Sequence, residues 1–126
     1  MGDDDLLVSI VDDDDFREAL RALFRSAGLR VATFACAEES LSSSQVHATA
    51  CVVLDLRMPG MSGLELQEHL VEEGHCIPTV LITGHGTEDA RARAFAAGAV
   101  AFLLKPFDGE SLLVAVEAAL RRRVNA

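Results

Sequence analysis

The chain has 126 residues, half of them hydrophobic and a quarter charged, with a formal net charge of -9. That length and balance fit one folded domain with a real core and exclude a disordered chain, while the negative surface disfavours direct binding to nucleic acid or an anionic membrane. Cys36, Cys51 and Cys76 are odd in number and form no C-x-x-C pair, which argues against a disulfide framework or zinc site and predicts a reducing, cytoplasmic home.

The chain opens on Met1-Gly2-Asp3-Asp4-Asp5, acidic where a signal peptide is basic, and no apolar stretch approaches the ~20 residues of a membrane span. Five apolar, β-branched-rich runs follow: Leu6–Val11, Leu29–Phe34, Ala50–Leu54, Pro78–Thr83 and Val100–Leu104. They start roughly 20–28 residues apart, enough each time for a strand and a crossover helix, which predicts βα units in a parallel sheet. In the first gap Phe16, Leu20, Leu23 and Phe24 recur at helical spacing until Gly28. Ala37-Glu38-Glu39-Ser40-Leu41 predicts a short helix whose end Ser42-Ser43-Ser44 weakens. Ser62-Gly63 opens a helix with Leu64, Leu66, Leu70 and Val71 on its apolar face, and Gly74 closes it. Thr87-Glu88-Asp89 caps an alanine-rich helix that Gly98 ends. Asp108 opens the last, which carries Leu112, Leu113, Val116 and Leu120 and ends near Arg121-Arg122-Arg123, cations that oppose the helix dipole. The expectation is a single (βα)5 domain over residues 1–126, with no output domain in the chain.

Polar residues concentrate at the ends of these runs. Asp55 ends one beside Pro59-Gly60, Asp12-Asp13-Asp14-Asp15 follows another, and Lys105 ends a third before Pro106. Open parallel sheets hold their ligands beyond the carboxyl ends of the strands. Side by side, these three strands would gather carboxylates and one ammonium at one edge, a site for a hard divalent cation and a phosphoryl group. Asp14 and Asp15 suit a helix cap. Asp12 and Asp13 with Asp55 suit Mg²⁺, which takes one or two carboxylates plus water and phosphate oxygen. Asp55 is also a candidate nucleophile, since a carboxylate can accept a phosphoryl group as an acyl phosphate. Lys105, the sole lysine of the chain, is a compact charge suited to a phosphoryl oxygen, and Lys105-Pro106 is a candidate cis bond. Thr83, before Gly84-His85-Gly86, offers a hydroxyl. Strand alternation puts Phe102 on the face opposite Leu103 and Lys105, where core packing accounts for it as well as a switching role does.

Asp12/Asp13, Leu54-Asp55-Leu56-Arg57-Met58-Pro59-Gly60, Thr83 and Lys105-Pro106-Phe107 together resemble the receiver domain of bacterial two-component response regulators, the CheY-like family. The resemblance runs from Leu6 to about Arg121, with the motifs in family order. It implies a doubly wound, flavodoxin-like α/β fold with a five-stranded parallel sheet in strand order 2-1-3-4-5. It further implies Asp55 as phosphoacceptor, Asp12 and Asp13 as the Mg²⁺ pair and the backbone carbonyl of Arg57 as a further metal ligand. Thr83 corresponds to the switch hydroxyl, Lys105 to the phosphoryl-contacting lysine and Phe102 to the aromatic switch. Ile82-Thr83-Gly84-His85-Gly86 with Leu104-Lys105-Pro106-Phe107 is most similar to receivers that precede a DNA-binding output domain. The loop from Asp12 to Phe16 is one residue shorter than is usual in the family, so the metal pair is Asp13/Asp14 if the first strand runs one residue further.

The expected function is a phosphorylation switch. A histidine kinase or phosphotransfer protein supplies the phosphoryl group to Asp55, Thr83 and Phe102 rearrange, and the face of the fourth helix, fifth strand and fifth helix changes for a partner or for self-association. Three other readings compete. An aspartyl-phosphate phosphatase would need a second carboxylate where Arg57 stands. A phosphate-independent interaction module would have no use for Asp12, Asp13, Asp55, Thr83 and Lys105 together. A flavin binder would need a Gly-rich phosphate loop after the first strand.

Overall fold

A computed structural model of the chain describes residues 6–12, 16–58 and 60–125. Strands β1 (Leu7–Val11), β2 (Arg30–Phe34), β3 (Thr49–Asp55), β4 (Thr79–Thr83) and β5 (Ala99–Leu104) alternate with helices α1 (Phe16–Ser26), α2 (Ala37–Leu41), α3 (Gly63–Glu72), α4 (Glu88–Ala96) and α5 (Gly109–Asn125). α2 ends at Leu41, where the serine run was expected to weaken it, and a 3-10 helix that the sequence reading had not anticipated, Ser44–Ala48, follows. Every strand pair is parallel, and the sheet order is β2-β1-β3-β4-β5. The expected doubly wound α/β fold is therefore the observed one.

Strand alternation decides which helices go where. Ile10, Val53, Val80 and Ile82 face one side and pack with Leu20 and Phe24 of α1 and Leu112 and Val116 of α5. Val11, Val52, Leu54 and Leu81 face the other and pack with Leu66 and Leu70 of α3 and Ala94 of α4. Because β1, β3 and β4 are buried on both faces, they read as continuous apolar runs.

The helix punctuation works as the residue types dictate. Ser62 and Glu65 form a reciprocal capping box at the start of α3, and the Thr87 hydroxyl accepts the Ala90 amide at 3.1 Å at the start of α4. Gly28 and Gly98, at φ of 83° and 103°, provide the left-handed turns that end α1 and α4.

Some details depart from the sequence reading. Val71, expected on the apolar face of α3, is 51% exposed. Strand β3 takes in Asp55 itself, because its backbone still pairs in register with Ile82 of β4. Leu104, the last residue of an apolar run, is 56% exposed, since β5 is an edge strand and Leu104 lies at its open end. Burial pushes the Cys51 thiol up to about 12, which leaves it an inert core residue. No helix among the described residues is long and apolar enough to cross a membrane.

Candidate functional site

The strand order reverses direction around β1 and β3, so the crevice beyond their carboxyl ends is where a doubly wound sheet offers a ligand site. Val11 pairs with Leu54, which brings the next residues of the two strands, Asp12 and Asp55, to neighbouring strand ends. Asp12 is fully buried. Its amide donates to the Phe34 carbonyl at 3.1 Å, and its carbonyl accepts from Arg17 Nη1 at 2.9 Å. Asp13 lies outside the described residues, as do Asp14 and Pro59.

Asp55 is 6% exposed. Its Oδ1 accepts the Arg57 amide at 3.1 Å, and its Oδ2 lies 3.3 Å from Lys105 Nζ, which forms an ion pair across the strand ends. The segment that carries Asp55 is clamped from both sides. The Leu56 amide donates to the Ile82 carbonyl at 2.9 Å, and the Gly63 amide donates to the Leu56 carbonyl at 3.0 Å. Gly63 is required by proximity: a Cβ there would collide with the Asp55 carbonyl oxygen and sit 3.1 Å from Leu56 Cα.

Lys105 reaches this edge because its amide donates to the Thr83 carbonyl at 2.7 Å, continuing the β4–β5 ladder by one residue. The Lys105-Pro106 bond is cis, as the sequence had suggested. Thr83 is fully buried, and its hydroxyl accepts the His85 amide at 3.1 Å. Phe102 pairs with Leu81, and it packs with the α2–α4 layer, while Leu103 packs with the α1–α5 layer. The face expected for Phe102 from alternation is the one it takes. An open cleft of about 630 Å³, lined by Gly86, Arg91, Phe102 and Leu104 among others, lies between the start of α4 and the end of β5.

Asp12, Asp55, Thr83 and Lys105 therefore meet at the carboxyl edge, with Phe102 one layer away. Sequence reasoning had assigned Phe16 only to a helix face, yet its ring lies 5.0 Å beneath Lys105 Nζ and packs edge-on against Phe107. An aromatic at the first helical position after the acidic loop was the available signal. Arg17, which holds the Asp12 carbonyl, was also missed.

Fold and edge together define a flavodoxin-like α/β domain with a carboxylate–ammonium site at its switch point. Residues 8–117 match the family model described as the response regulator receiver domain, and the chain belongs to that family. It is 47% identical over 117 residues to Nodulation protein W of Bradyrhizobium diazoefficiens, covering 92% of this chain and 52% of that one. It is 41% identical over 118 residues to the transcriptional regulatory protein FixJ of Azorhizobium caulinodans, covering 93% and 56%. The solved structure of the response regulator StyR superposes with a TM-score of 0.89 at 48% identity, covering 96% of this chain and 62% of that one. The chain spans about half the length of the two curated relatives just named. It is a receiver domain of two-component signalling, akin to those of transcriptional regulators, and not a classical enzyme.

Proposed function

We propose that Asp55 is the phosphoacceptor. The observation that carries this reading is a nearly buried carboxylate at the end of β3 whose Oδ2 lies 3.3 Å from the sole lysine. An Asp55 oxygen attacks the phosphorus of a phosphohistidine on a histidine kinase or phosphotransfer protein. The P–N bond breaks and the imidazole departs, leaving an acyl phosphate on Asp55. Arg57's amide orients the carboxylate, and the Lys105 ammonium neutralises a phosphoryl oxygen.

The donors on this edge suit a hard cation. Asp12 and Asp55 supply carboxylates at adjacent strand ends and Arg57 a backbone carbonyl, all oxygen ligands of the kind Mg²⁺ prefers. These residues, with Asp13 as a further candidate, would hold Mg²⁺, which when bound offsets the negative charge of the transferring phosphoryl group.

Phosphorylation then draws the Thr83 hydroxyl away from the His85 amide toward the new oxygens, and Phe102 follows into the space released. A tight two-state switch needs about 5.5 kcal/mol of differential stabilisation. Charge-assisted hydrogen bonds contribute roughly 1.5–3 kcal/mol each, so Thr83 and Lys105 together are of the right size. The α4–β5–α5 face carries the change to a partner or a second copy, and through an output domain like those of the transcriptional relatives to transcription, in the cytoplasm. The receiver itself does not touch nucleic acid.

Labelling with acetyl phosphate and Mg²⁺ tests the assignment. The wild type gains one phosphoryl group by mass, and Asp55→Asn gains none. Labelling of Asp55→Asn at the wild-type rate overturns it.

A further inference from the structure

We propose that Phe16 is a positioning residue for the phosphotransfer: its ring face fixes the Lys105 ammonium against Asp55. This rests on the role given to Lys105 above. A lysine carries its charge on a flexible four-carbon stem, so a site that depends on that charge needs something to hold it in place. Here Nζ lies 3.3 Å from Asp55 Oδ2 and 5.0 Å from the centroid of the Phe16 ring. The ring is itself braced. Phe107 meets it edge-on, with centroids 5.7 Å apart and planes at 74°, a favourable aromatic geometry. Phe107 follows Lys105 by two residues, so the segment that presents the ammonium also locks the ring beneath it.

The chemistry of the ring suits the task. A carboxylate in the place of Phe16 would hold the lysine by pairing with it, and the incoming phosphoryl group would then have to compete for that charge. A ring face attracts the cation through its quadrupole and leaves the full positive charge available. Phe16 also begins α1, directly after the acidic loop, so the same residue ties the lysine to the helix that follows Asp12.

Phe16 packs against the α1–α5 layer as well, so the test must separate holding the lysine from filling the core. With one lysine in the chain, ¹³Cε-lysine labelling gives a single side-chain signal. In the wild type the Lys105 ε-protons are shifted upfield by the ring. Phe16→Leu abolishes the shift and Phe16→Tyr keeps it. Acetyl phosphate labelling in Mg²⁺ slows about two- to fivefold in Phe16→Leu, the size expected for a cation–π contact that is still partly open to solvent, and Phe16→Tyr restores most of the rate. In a Lys105→Met background, Phe16→Leu causes no further loss. An unshifted wild-type signal, failure of Phe16→Tyr to restore the rate, or an equal loss in both backgrounds overturns the proposal. If Lys105→Met labels at the wild-type rate although the Lys105 signal of the wild type is shifted upfield, the role of the lysine is what fails, and the inference falls with it.

Discussion

Replacing Gly63 by alanine sets two physical effects against each other. Gly63 is not at positive φ and occupies the first position of α3, so intrinsic helix propensity favours alanine there by up to about 1 kcal/mol. The structure opposes it. The new Cβ would collide with the Asp55 carbonyl oxygen and lie 3.0 Å from the Asp55 carbonyl carbon and 3.1 Å from Leu56 Cα. These are backbone atoms at the end of β3, where Asp55 pairs with Ile82 of β4 and the Leu56 amide donates to the Ile82 carbonyl, and they cannot rotate away as a side-chain tip can. Overpacking of this kind costs about 1–3 kcal/mol. If α3 moves off to relieve it, the Gly63–Leu56 hydrogen bond, worth about 0.5–1.5 kcal/mol, is lost too. Packing wins, and the expected net loss is about 1–3 kcal/mol. In urea, at an m-value of about 2 kcal/mol/M, the midpoint drops by roughly 0.5–1.5 M with m unchanged. Gly84→Ala is the control, because a Cβ there meets nothing within 4 Å and φ is not positive; its stability should stay within about 0.5 kcal/mol of wild type. Equal midpoints for the two variants would refute the reasoning. Acetyl phosphate labelling should also slow in Gly63→Ala, since the strain falls on the backbone that carries Asp55.

At Gly86 the same added methyl meets different neighbours: Leu104 Cδ2 at 2.6 Å and Phe102 Cε1 at 2.9 Å, both ends of movable side chains. Gly86→Ala is expected to lose less than about 1 kcal/mol in urea yet to shift the Phe102 ring resonances, and an unmoved ring would contradict the contact. At Asp108, the Ser111 amide donates to Oδ1 at 2.7 Å and holds the carboxyl below its ordinary value of 3.8. A depressed folded-state pKa contributes stability above the unfolded value and loses it as pH falls through the folded one. Asp108→Asn should therefore flatten the fall in urea midpoint below about pH 4, and a slope equal to wild type would remove Asp108 from the account.

Much of the fold was legible because its signals are local. Strands buried on both faces are mostly apolar, with buried Ser9 of β1 hydrogen-bonded to Thr49, and Gly28, Gly74 and Gly98 mark helix ends through a backbone conformation that only glycine adopts cheaply. Strand alternation was enough to assign Phe102 to its layer. Boundaries moved by a residue where pairing continues past the apolar stretch, as at Asp55, since a partner strand does not care what side chain the last residue bears. The site was legible as a set of strand-end residues but not as contacts. Asp55 and Lys105 stand 50 positions apart, and their nearness in space follows from the β3–β4 and β4–β5 ladders together. The lysine–ring contact of Phe16 and the tight fits at Gly63 and Gly86 escaped for the same reason. Each depends on an element remote in the chain, and a glycine kept for want of room looks in sequence like one kept for a turn.

Helix α4 has consequences beyond its own geometry. Among the described residues Ala94 is its one buried position, supplemented by the hydrogen bond from Gln67 Nε2 to the Ala94 carbonyl at 3.0 Å. Its outward residues answer to no core constraint, so they are free to diverge between paralogues while folding is unaffected. Under the switch proposed above, recognition can then be rewritten on the outward side of this helix while the residues that hold Asp55 and Lys105 stay the same.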